Sequence, residues 1–368
     1  MALKANIDAN YLGQGWRALM LFAFVPLFIK YLGIEAYGVV TLFVTLQAFL
    51  GLLDLGLRPV LSREMARFTG GTHDTQSIAD LLRSIEIIAI GIAISFALLL
   101  YAGSGWLAND WVRADKLPKA SVAQAFGLMG IVAALQFIES LYTSAMSGLQ
   151  RQVLQNGIAS FVVTLRAAGA VGVLIWVSPT LEAFFIWQGI ASLIAVALFA
   201  GGLYRILPSP SRRARFSWPA LNAMRTYAGG MIAITLLSLL LTQVDKIILS
   251  KQLPLDAFAH YMLAGLVAGA MPLLAGPVGN ALYPRLIELV ARGDERALRR
   301  AFHRGAQVTA VLLCATGGML IFSGKRLLLH WTQDAALAQE IAPLLAVIDT
   351  YYCRPGWISK KNRLKPCC

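Results

Sequence analysis

The chain has 368 residues, of which 58% are hydrophobic and only 14% are charged, and its mean hydropathy is +0.65. Soluble domains carry about 25% charged residues, so this composition excludes an ordinary soluble domain and predicts a polytopic helical membrane protein. In a membrane protein, the net charge of +13 indicates arginine-rich cytoplasmic loops facing anionic headgroups, and it predicts no nucleic-acid partner.

Nine long apolar stretches follow one another along the chain, each close to the roughly 20 residues that a membrane span needs. The first has no small-residue cleavage site after it, which favours a retained span over a signal peptide. A tenth begins near Glu340 and stops early. The predicted spans are 12–32, 38–57, 84–104, 122–144, 157–177, 183–204, 227–248, 258–280 and 306–324.

Two short bends resemble one another: LGIEAYG at 32–38 and LPLDAFA at 253–259, about 221 residues further on. Each lies between two long apolar runs, and an arginine follows the second run in both copies, Arg63 and Arg285. Both copies enter and leave the apolar zone in the same direction. The pattern therefore predicts an all-α transmembrane bundle built from two parallel-repeat halves, an architecture that transporters use.

The repeat predicts a first six-helix bundle over 1–220 and an incomplete second bundle over 221–350, joined by the linker RILPSPSRRARFSWP at 205–219. The residues at 351–368 form an atypical basic tail that carries three of the four cysteines. We expect a truncated or frameshifted C-terminus that lacks two or more spans; a genuine cytoplasmic tail is the alternative. Alternate loops are about twice as basic as the others, which places them and the N-terminus in the cytoplasm.

Polar residues on the second span define one candidate site. Gln47, Gly51, Asp54 and Arg58 follow helical spacing, so Asp54 and Arg58 are expected to pair. A charge in the hydrocarbon core costs at least about 2.5–3.5 kcal/mol, so such residues must face protein or water. This face is either an interfacial salt bridge or a cavity wall that offers Arg58 to an anionic headgroup.

The fourth and fifth spans carry a second candidate pair, Glu139 and Arg166. The first lies 12 residues before, and the second 15 after, the turn near Arg151. At about 1.5 Å per residue they lie at similar depth, so we expect them to pair or to share a cavity. The alternatives are a structural ion pair, or a phosphate-contacting Arg166 with Glu139 positioning it or taking a coupling proton. Gln136 lies on the same side of the fourth span.

Further polar positions lie on the seventh and first spans. Thr235, Ser238, Thr242 and Asp245 form a stripe that predicts either the wall of a water-filled space or a helix interface joined by hydroxyls. Arg17 is expected to snorkel to the membrane surface or to face the same space. The sequence has no metal-ligand spacing, P-loop or catalytic triad pattern, so we predict no metal, no cofactor and no enzyme activity.

Three segments resemble a known group of transporters: FIKYLGIEAYGVVTLFVTLQAFLGLLDLGLRPVLSREMAR at 28–67, QVDKIILSKQLPLDAFAHYMLA at 243–264 and GPVGNALYPRL at 276–286. They resemble the polysaccharide transporters of the multidrug/oligosaccharidyl-lipid/polysaccharide exporter superfamily, and within it the O-antigen-type flippases. The resemblance implies about 12 to 14 helices in two halves, of which about 10 are present here. It also implies export of polysaccharide precursors by flipping an undecaprenyl-diphosphate-linked oligosaccharide across the bacterial inner membrane.

Such flippases use cavity cations to hold the diphosphate, and this resemblance implies roles for the polar residues above. Arg58, Arg166 and Arg17 are the candidate headgroup contacts. Glu139, Asp245 and Asp54 are the candidate ion-coupling groups. The candidate sugar contacts are Gln47, Gln136, Thr242 and Gln243. Membrane lipids and other glycan-assembly proteins are the remaining expected partners.

Three other functions are alternatives to flipping. A small-molecule or drug cation antiporter of the same fold would favour a cavity rich in acids and aromatics, which Arg166 argues against. A membrane polymerase or ligase of the same glycan pathway would need a large outer loop, and the longest predicted one, at 105–121, is too short. An inactive truncated transporter is the third alternative.

Overall fold

The computed structural model describes residues 2–52, 54, 56–69, 74–222, 225–269, 271 and 294–353. Within these ranges every regular element is a helix, and β structure is limited to an isolated bridge between Arg113 and Pro254. The predicted all-α helical membrane bundle is confirmed. The chain divides into two compact units, residues 1–258 and 259–368. The predicted boundary between bundles near residue 220 stays a prediction.

The helices are numbered here in chain order. The first unit contains α1 (Ala2–Leu32), α2 (Ile34–Leu52), α3 (Leu57–Thr69), α4 (Thr75–Trp106), α5 (Lys119–Gly148), α6 (Gln152–Trp176), α7 (Leu181–Ile206), the short α8 (Trp218–Asn222) and α9 (Arg225–Gln252). A π-helical turn, Leu107–Trp111, continues α4. Helix α10 (Leu255–Ala268) begins in the first unit, and α11 (Glu295–Thr332) and α12 (Ala335–Cys353) pack against each other in the second.

Ten apolar helices in the described ranges match the predicted spans in order. Seven are long and apolar enough to cross a membrane, and three are shorter: Ile34–Ala48, Leu255–Ala268 and Ala335–Ala346. Many large apolar side chains on them face outward, including Leu99 at 72% and Trp176 at 85% exposure. Lipid is the solvent that suits such a surface. The last helix begins at Ala335, before the predicted start near Glu340, and residues 272–280 of the eighth predicted span lie outside the described ranges.

The second predicted span is not one continuous helix, so that prediction was wrong. Helix α2 ends at Leu52, and Gly56 turns the chain into α3 with a φ of +74°, a conformation that a residue without Cβ adopts readily. The carboxylate of Asp54 accepts the backbone N–H of Arg58 at 3.3 Å, as an acid at a helix start commonly does. The bend therefore separates Arg58 from the helix that carries Gln47.

Helix α5 is the centre of the first unit and contacts α3, α4 and α7 along its length. Small residues allow this close packing. A Cβ added to Gly148 would overlap the carbonyl oxygen of Ser62 and lie 2.8 Å from the Cβ of Met65, so α3 approaches α5 directly at this point. The central position of α5 fixes where its polar residues project.

The two repeated bends contact one segment, residues 112–118, in the first unit. The buried carboxylate of Glu35, at the start of α2, accepts the backbone N–H groups of Asp115 at 2.7 Å and Lys116 at 2.9 Å. The carbonyl of Arg113 accepts the N–H of Leu255, at the start of α10, at 3.1 Å. We call these contacts of Glu35 and Leu255 with residues 112–118 the corner tie. The predicted outer loop at 105–121 is shorter than expected, because a π-helical turn continues α4 through Trp111.

Candidate functional site

A polar cavity of about 270 Å³ lies within the first unit, between α2, α3, α5 and α6. It extends from the middle of α5 and α6 towards the bend between α2 and α3. The described residues that line it are Gln47, Leu50, Gly51, Arg58, Ala133, Gln136, Phe137, Glu139, Ser140, Thr143 and Arg166. Five of the ten predicted site residues, from three separate predicted spans, therefore meet at one cavity.

Arg166 of α6 and Glu139 of α5 form an ion pair at the cavity wall. A guanidinium nitrogen of Arg166 lies 2.5 Å from Oε2 of Glu139, and the two side chains are 20% and 14% exposed. The predicted pairing is confirmed, because the two helices are antiparallel about the turn at Arg151 and bring both residues to the same depth. The Nε of Arg166 is buried and has no hydrogen-bond partner among the described residues.

Ser192 of α7 joins this ion pair to the glutamines of the cavity. Its hydroxyl oxygen accepts from Arg166 at 3.1 Å and from the side-chain amide of Gln136 at 3.3 Å. The carbonyl of Gln136 in turn accepts from the side-chain amide of Gln47 on α2. One hydrogen-bonded network, which we call the cavity network, thus connects Gln47, Gln136, Ser192, Arg166 and Glu139 on four helices.

Ser192 was not among the predicted site residues. It is fully buried and lies in an apolar helix, where a single serine is unremarkable. The available signal was its spacing of four residues from Gln188, which is also buried and marks a polar side of α7.

Arg58 supplies the second cation of the cavity. Its Nε lies 3.2 Å from Oδ2 of Asp54, so the predicted ion pair is confirmed, although Asp54 itself is not among the lining residues. The backbone carbonyl of Arg58 accepts the hydroxyl of Ser144 on α5 at 2.7 Å, which fixes the start of α3 against the central helix. The Arg58 side chain is 38% exposed, so its guanidinium is accessible at the edge of the cavity.

The described lining carries two arginines and one glutamate, so its formal charge is positive. Guanidinium groups hold phosphate oxygens in a planar, two-pronged geometry. Amide and hydroxyl groups, here Gln47, Gln136, Ser140 and Thr143, suit sugar hydroxyls. The arrangement can therefore bind an anionic group that carries a sugar.

The four remaining predicted site residues are not among the residues that line this cavity. Arg17 of α1 donates from its Nη1 to Oδ1 of Asn156 on α6 at 3.4 Å. On α9, Thr242 donates to the carbonyl of its own helix at Ser238, and Gln243 accepts from Lys246 at 3.2 Å. Asp245 is exposed on the same helix. The roles predicted for Arg17, Thr242, Gln243 and Asp245 stay predictions.

Several known proteins resemble this chain in sequence or in fold. The model of a family described as "Polysaccharide biosynthesis protein" matches residues 3–290. A putative O-antigen transporter from Shigella flexneri is 21% identical over 289 residues, which cover 78% of this chain and 67% of that protein. Among solved structures, a crystal structure of MATE in complex with MaL6 superposes with a TM-score of 0.62 at 10% identity, covering 96% of this chain and 79% of that one. At this identity the likeness establishes the fold alone.

Proposed function

Because the chain belongs to the polysaccharide biosynthesis protein family, we propose that it flips an undecaprenyl-diphosphate-linked oligosaccharide across the bacterial inner membrane. Its similarity to a putative O-antigen transporter supports this proposal. The flipped lipid serves as a precursor for polysaccharide export. The observation that carries the proposal is a cavity lined by Arg58 and Arg166 inside a lipid-solvated helical bundle. Charged side chains are costly within a membrane, so arginines lining a cavity there are candidates for a functional site.

Arg166 is the primary phosphate contact in this mechanism. Glu139 and Ser192 both accept from one terminal nitrogen of its guanidinium, and its buried Nε has no partner among the described residues. A phosphate oxygen would compete with Glu139 for the guanidinium. Because the Arg166 side chain is only 20% exposed, a charge-assisted hydrogen bond to it is stronger than one at an exposed surface.

The cavity accommodates a headgroup rather than a whole lipid-linked glycan. Its volume of about 270 Å³ is slightly below the roughly 300–1,000 Å³ of pockets that enclose drug-sized ligands. A diphosphate and part of the adjoining sugar would occupy a cavity of this size, with Arg58 and Arg166 on the phosphates and Gln47 and Gln136 on the sugar. The isoprenoid tail would remain in the bilayer.

The same charges argue against the cation antiporter alternative. A cationic drug would meet two arginines and one glutamate among the described lining residues, so its binding would be opposed electrostatically. We further propose that the N-terminus is cytoplasmic, which makes the bend between α2 and α3 face the inner leaflet, where the lipid-linked substrate is loaded. Proton or sodium coupling through Glu139, Asp54 or Asp245 is part of the proposal, as are other glycan-assembly proteins as partners.

A vesicle assay tests this function. The full chain is reconstituted with a fluorescent undecaprenyl-diphosphate oligosaccharide, and an impermeant quencher reports its movement between leaflets. We expect faster movement than in protein-free vesicles, and a rate lower by about tenfold for Arg58→Ala or Arg166→Ala, because each removes a charge-assisted hydrogen bond worth about 1.5–3 kcal/mol. Arg299→Ala, on an exposed face of α11, is the matched control and should retain the rate.

Competition separates the proposed substrate class from a cation. Unlabelled undecaprenyl diphosphate should slow the movement of the labelled lipid, whereas a lipophilic quaternary cation should not. Movement no faster than in protein-free vesicles, or inhibition by the cation alone, would contradict the proposal.

A further inference from the structure

The segment that joins α7 to α9 follows one face of α4 over its first turns. Three of its backbone N–H groups donate to α4 side chains spaced four residues apart, which lie on one side of a helix. These bonds run from Arg212 to Gln76 (3.0 Å), from Arg215 to Asp80 (2.8 Å) and from Ser217 to Ser84 (2.8 Å). The predicted linker is therefore held in a defined conformation on α4.

Asp80 is the main anchor of this segment. It is buried, at 8% exposure, and its carboxylate accepts the Arg215 N–H, the Arg212 guanidinium at 2.7 Å and the side-chain amide of Gln76 at 3.0 Å. Ser84, one turn further along, is fully buried. A buried carboxylate that accepts several hydrogen bonds fixes the backbone of the segment. Arg212 forms an ion pair with Asp80, whereas Arg215 donates its backbone N–H to Asp80.

The anchored segment and the last turn of α7 expose three arginines and two aromatics, which we call the linker surface: Arg205, Arg213, Arg215, Phe216 and Trp218. All five residues are exposed, with Phe216 at 47% and Trp218 at 67%. No acidic residue occurs between positions 205 and 222, so nothing in the segment neutralises these arginines. Exposed aromatic rings beside unneutralised arginines are unusual at a surface that meets only water.

The linker surface lies where two membrane spans meet the aqueous phase. It follows the span Leu181–Ile206 directly and lies against the start of the span Thr75–Trp111, so it is at the membrane boundary. Aromatic rings concentrate at this boundary, and arginines there attract anionic lipids. We propose that the linker surface binds the phosphate headgroups of anionic phospholipids in the leaflet where α4 begins. This lipid site is separate from the cavity network and does not depend on the transported substrate.

Brominated phospholipids test the site directly, because bromine quenches nearby tryptophan. The full chain is placed in phosphatidylcholine vesicles that contain brominated phosphatidylglycerol or, separately, brominated phosphatidylcholine. The contribution of Trp218, one of eight tryptophans, is isolated by comparison with Trp218→Phe. We expect the anionic lipid to quench Trp218 about twofold more strongly than the zwitterionic lipid, because the neighbouring arginines enrich it locally.

Charge variants assign the preference to this surface. The triple variant R205Q/R213Q/R215Q should quench equally with both lipids. The variant R296Q/R299Q/R300Q removes the same charge from exposed positions of α11 and should keep the preference of the parent chain. The proposal is overturned if the two lipids quench Trp218 equally in the parent chain, which is the result expected if the arginines bind a soluble polyanion instead. An unchanged preference for the anionic lipid in R205Q/R213Q/R215Q also overturns it.

Removal of the anchor distinguishes a built site from general attraction. Asp80→Asn deletes an acidic group and makes the chain more positive, so general attraction predicts a stronger preference for the anionic lipid. The proposal predicts a weaker one, because Asn keeps only one acceptor oxygen and turns an NH2 donor towards the donors that Asp80 binds. If Asp80→Asn does not fold, Ser84→Ala removes the acceptor of the Ser217 N–H without changing the charge, so general attraction predicts an unchanged preference and the proposal predicts a weaker one. A preference that rises in Asp80→Asn, or that is unchanged in Ser84→Ala, contradicts the proposal.

Discussion

Arg166 shows how a single embedded charge is tolerated in this bundle. It is paired with Glu139, bonded to Ser192 and faces a polar cavity rather than acyl chains. Its pairing was predictable, because counting residues on either side of one turn places two residues at equal depth in antiparallel helices. Ser192 was not, because its spacing of four residues from Gln188 marks a polar side of α7 but does not indicate which residues that side meets. Tertiary packing alone decides that it bridges Arg166 and Gln136.

The Arg166–Glu139 pair yields a stability prediction. Arg166→Met or Glu139→Leu alone should lower Tm more than the double variant does, because a lone charge left in a shielded site is the expensive state. Breaking a buried pair costs about 3–5 kcal/mol, and the remaining exposure of both side chains places the expected loss near the lower value. Thermal unfolding of the purified chain in detergent measures this, with Arg299→Met as an exposed control. A double variant that loses the sum of the two single losses would count against the pairing as described.

At the scale of elements, the order of the apolar helices was predictable, whereas the break in the second span was not. Hydropathy stays high through the leucines around Asp54 and Gly56, so the sequence pattern does not register the change of direction. The break depends on the positive φ of Gly56 and on Asp54 accepting the Arg58 N–H. It also brings Arg58 to the cavity edge, so the cavity is made partly by an irregularity.

The contact between α3 and α5 yields a prediction at this scale. Gly148→Ala should destabilise the chain by about 1–3 kcal/mol, because the added methyl group overlaps the backbone of Ser62 and forces α3 away from α5. Gly91→Ala is the matched control: its Cβ meets nothing within 4 Å, and alanine favours a helix interior over glycine by about 0.5–1 kcal/mol. Tm should therefore fall for the first variant and hold or rise for the second. Equal effects would show that the helices are not in contact at Gly148.

At the scale of the whole molecule, composition alone was sufficient to predict that lipid is the main solvent of the chain. The repeated bends at 32–38 and 253–259 were also visible in the sequence, and the structure places a helix junction at each. Their shared contact with residues 112–118 was not predictable, because residues 112–118 contribute only backbone groups to it and these carry no sequence pattern.

Membrane orientation yields a prediction for the whole chain. In a variant whose four native cysteines are replaced by serine, Lys119→Cys should react with an impermeant maleimide added to intact cells, whereas Ser209→Cys should react only after the membrane is opened. The reason is the excess of arginine in the loops on the side of Ser209, which retains that side in the cytoplasm. Both positions are exposed, so reactivity reports sidedness rather than burial. The reverse labelling pattern would invert the proposed orientation.

The corner tie has a consequence for how this surface tolerates sequence drift. Asp115, Lys116 and Leu255 contribute main-chain N–H groups and Arg113 contributes a main-chain carbonyl, so replacing their side chains removes none of these bonds. Glu35 alone contributes a side chain. The exposed positions 113, 115 and 116 can therefore vary in charge and size while these bonds persist, as long as the backbone path and Glu35 are kept. Substitutions at these positions would leave the attachment of this segment to the starts of α2 and α10 intact.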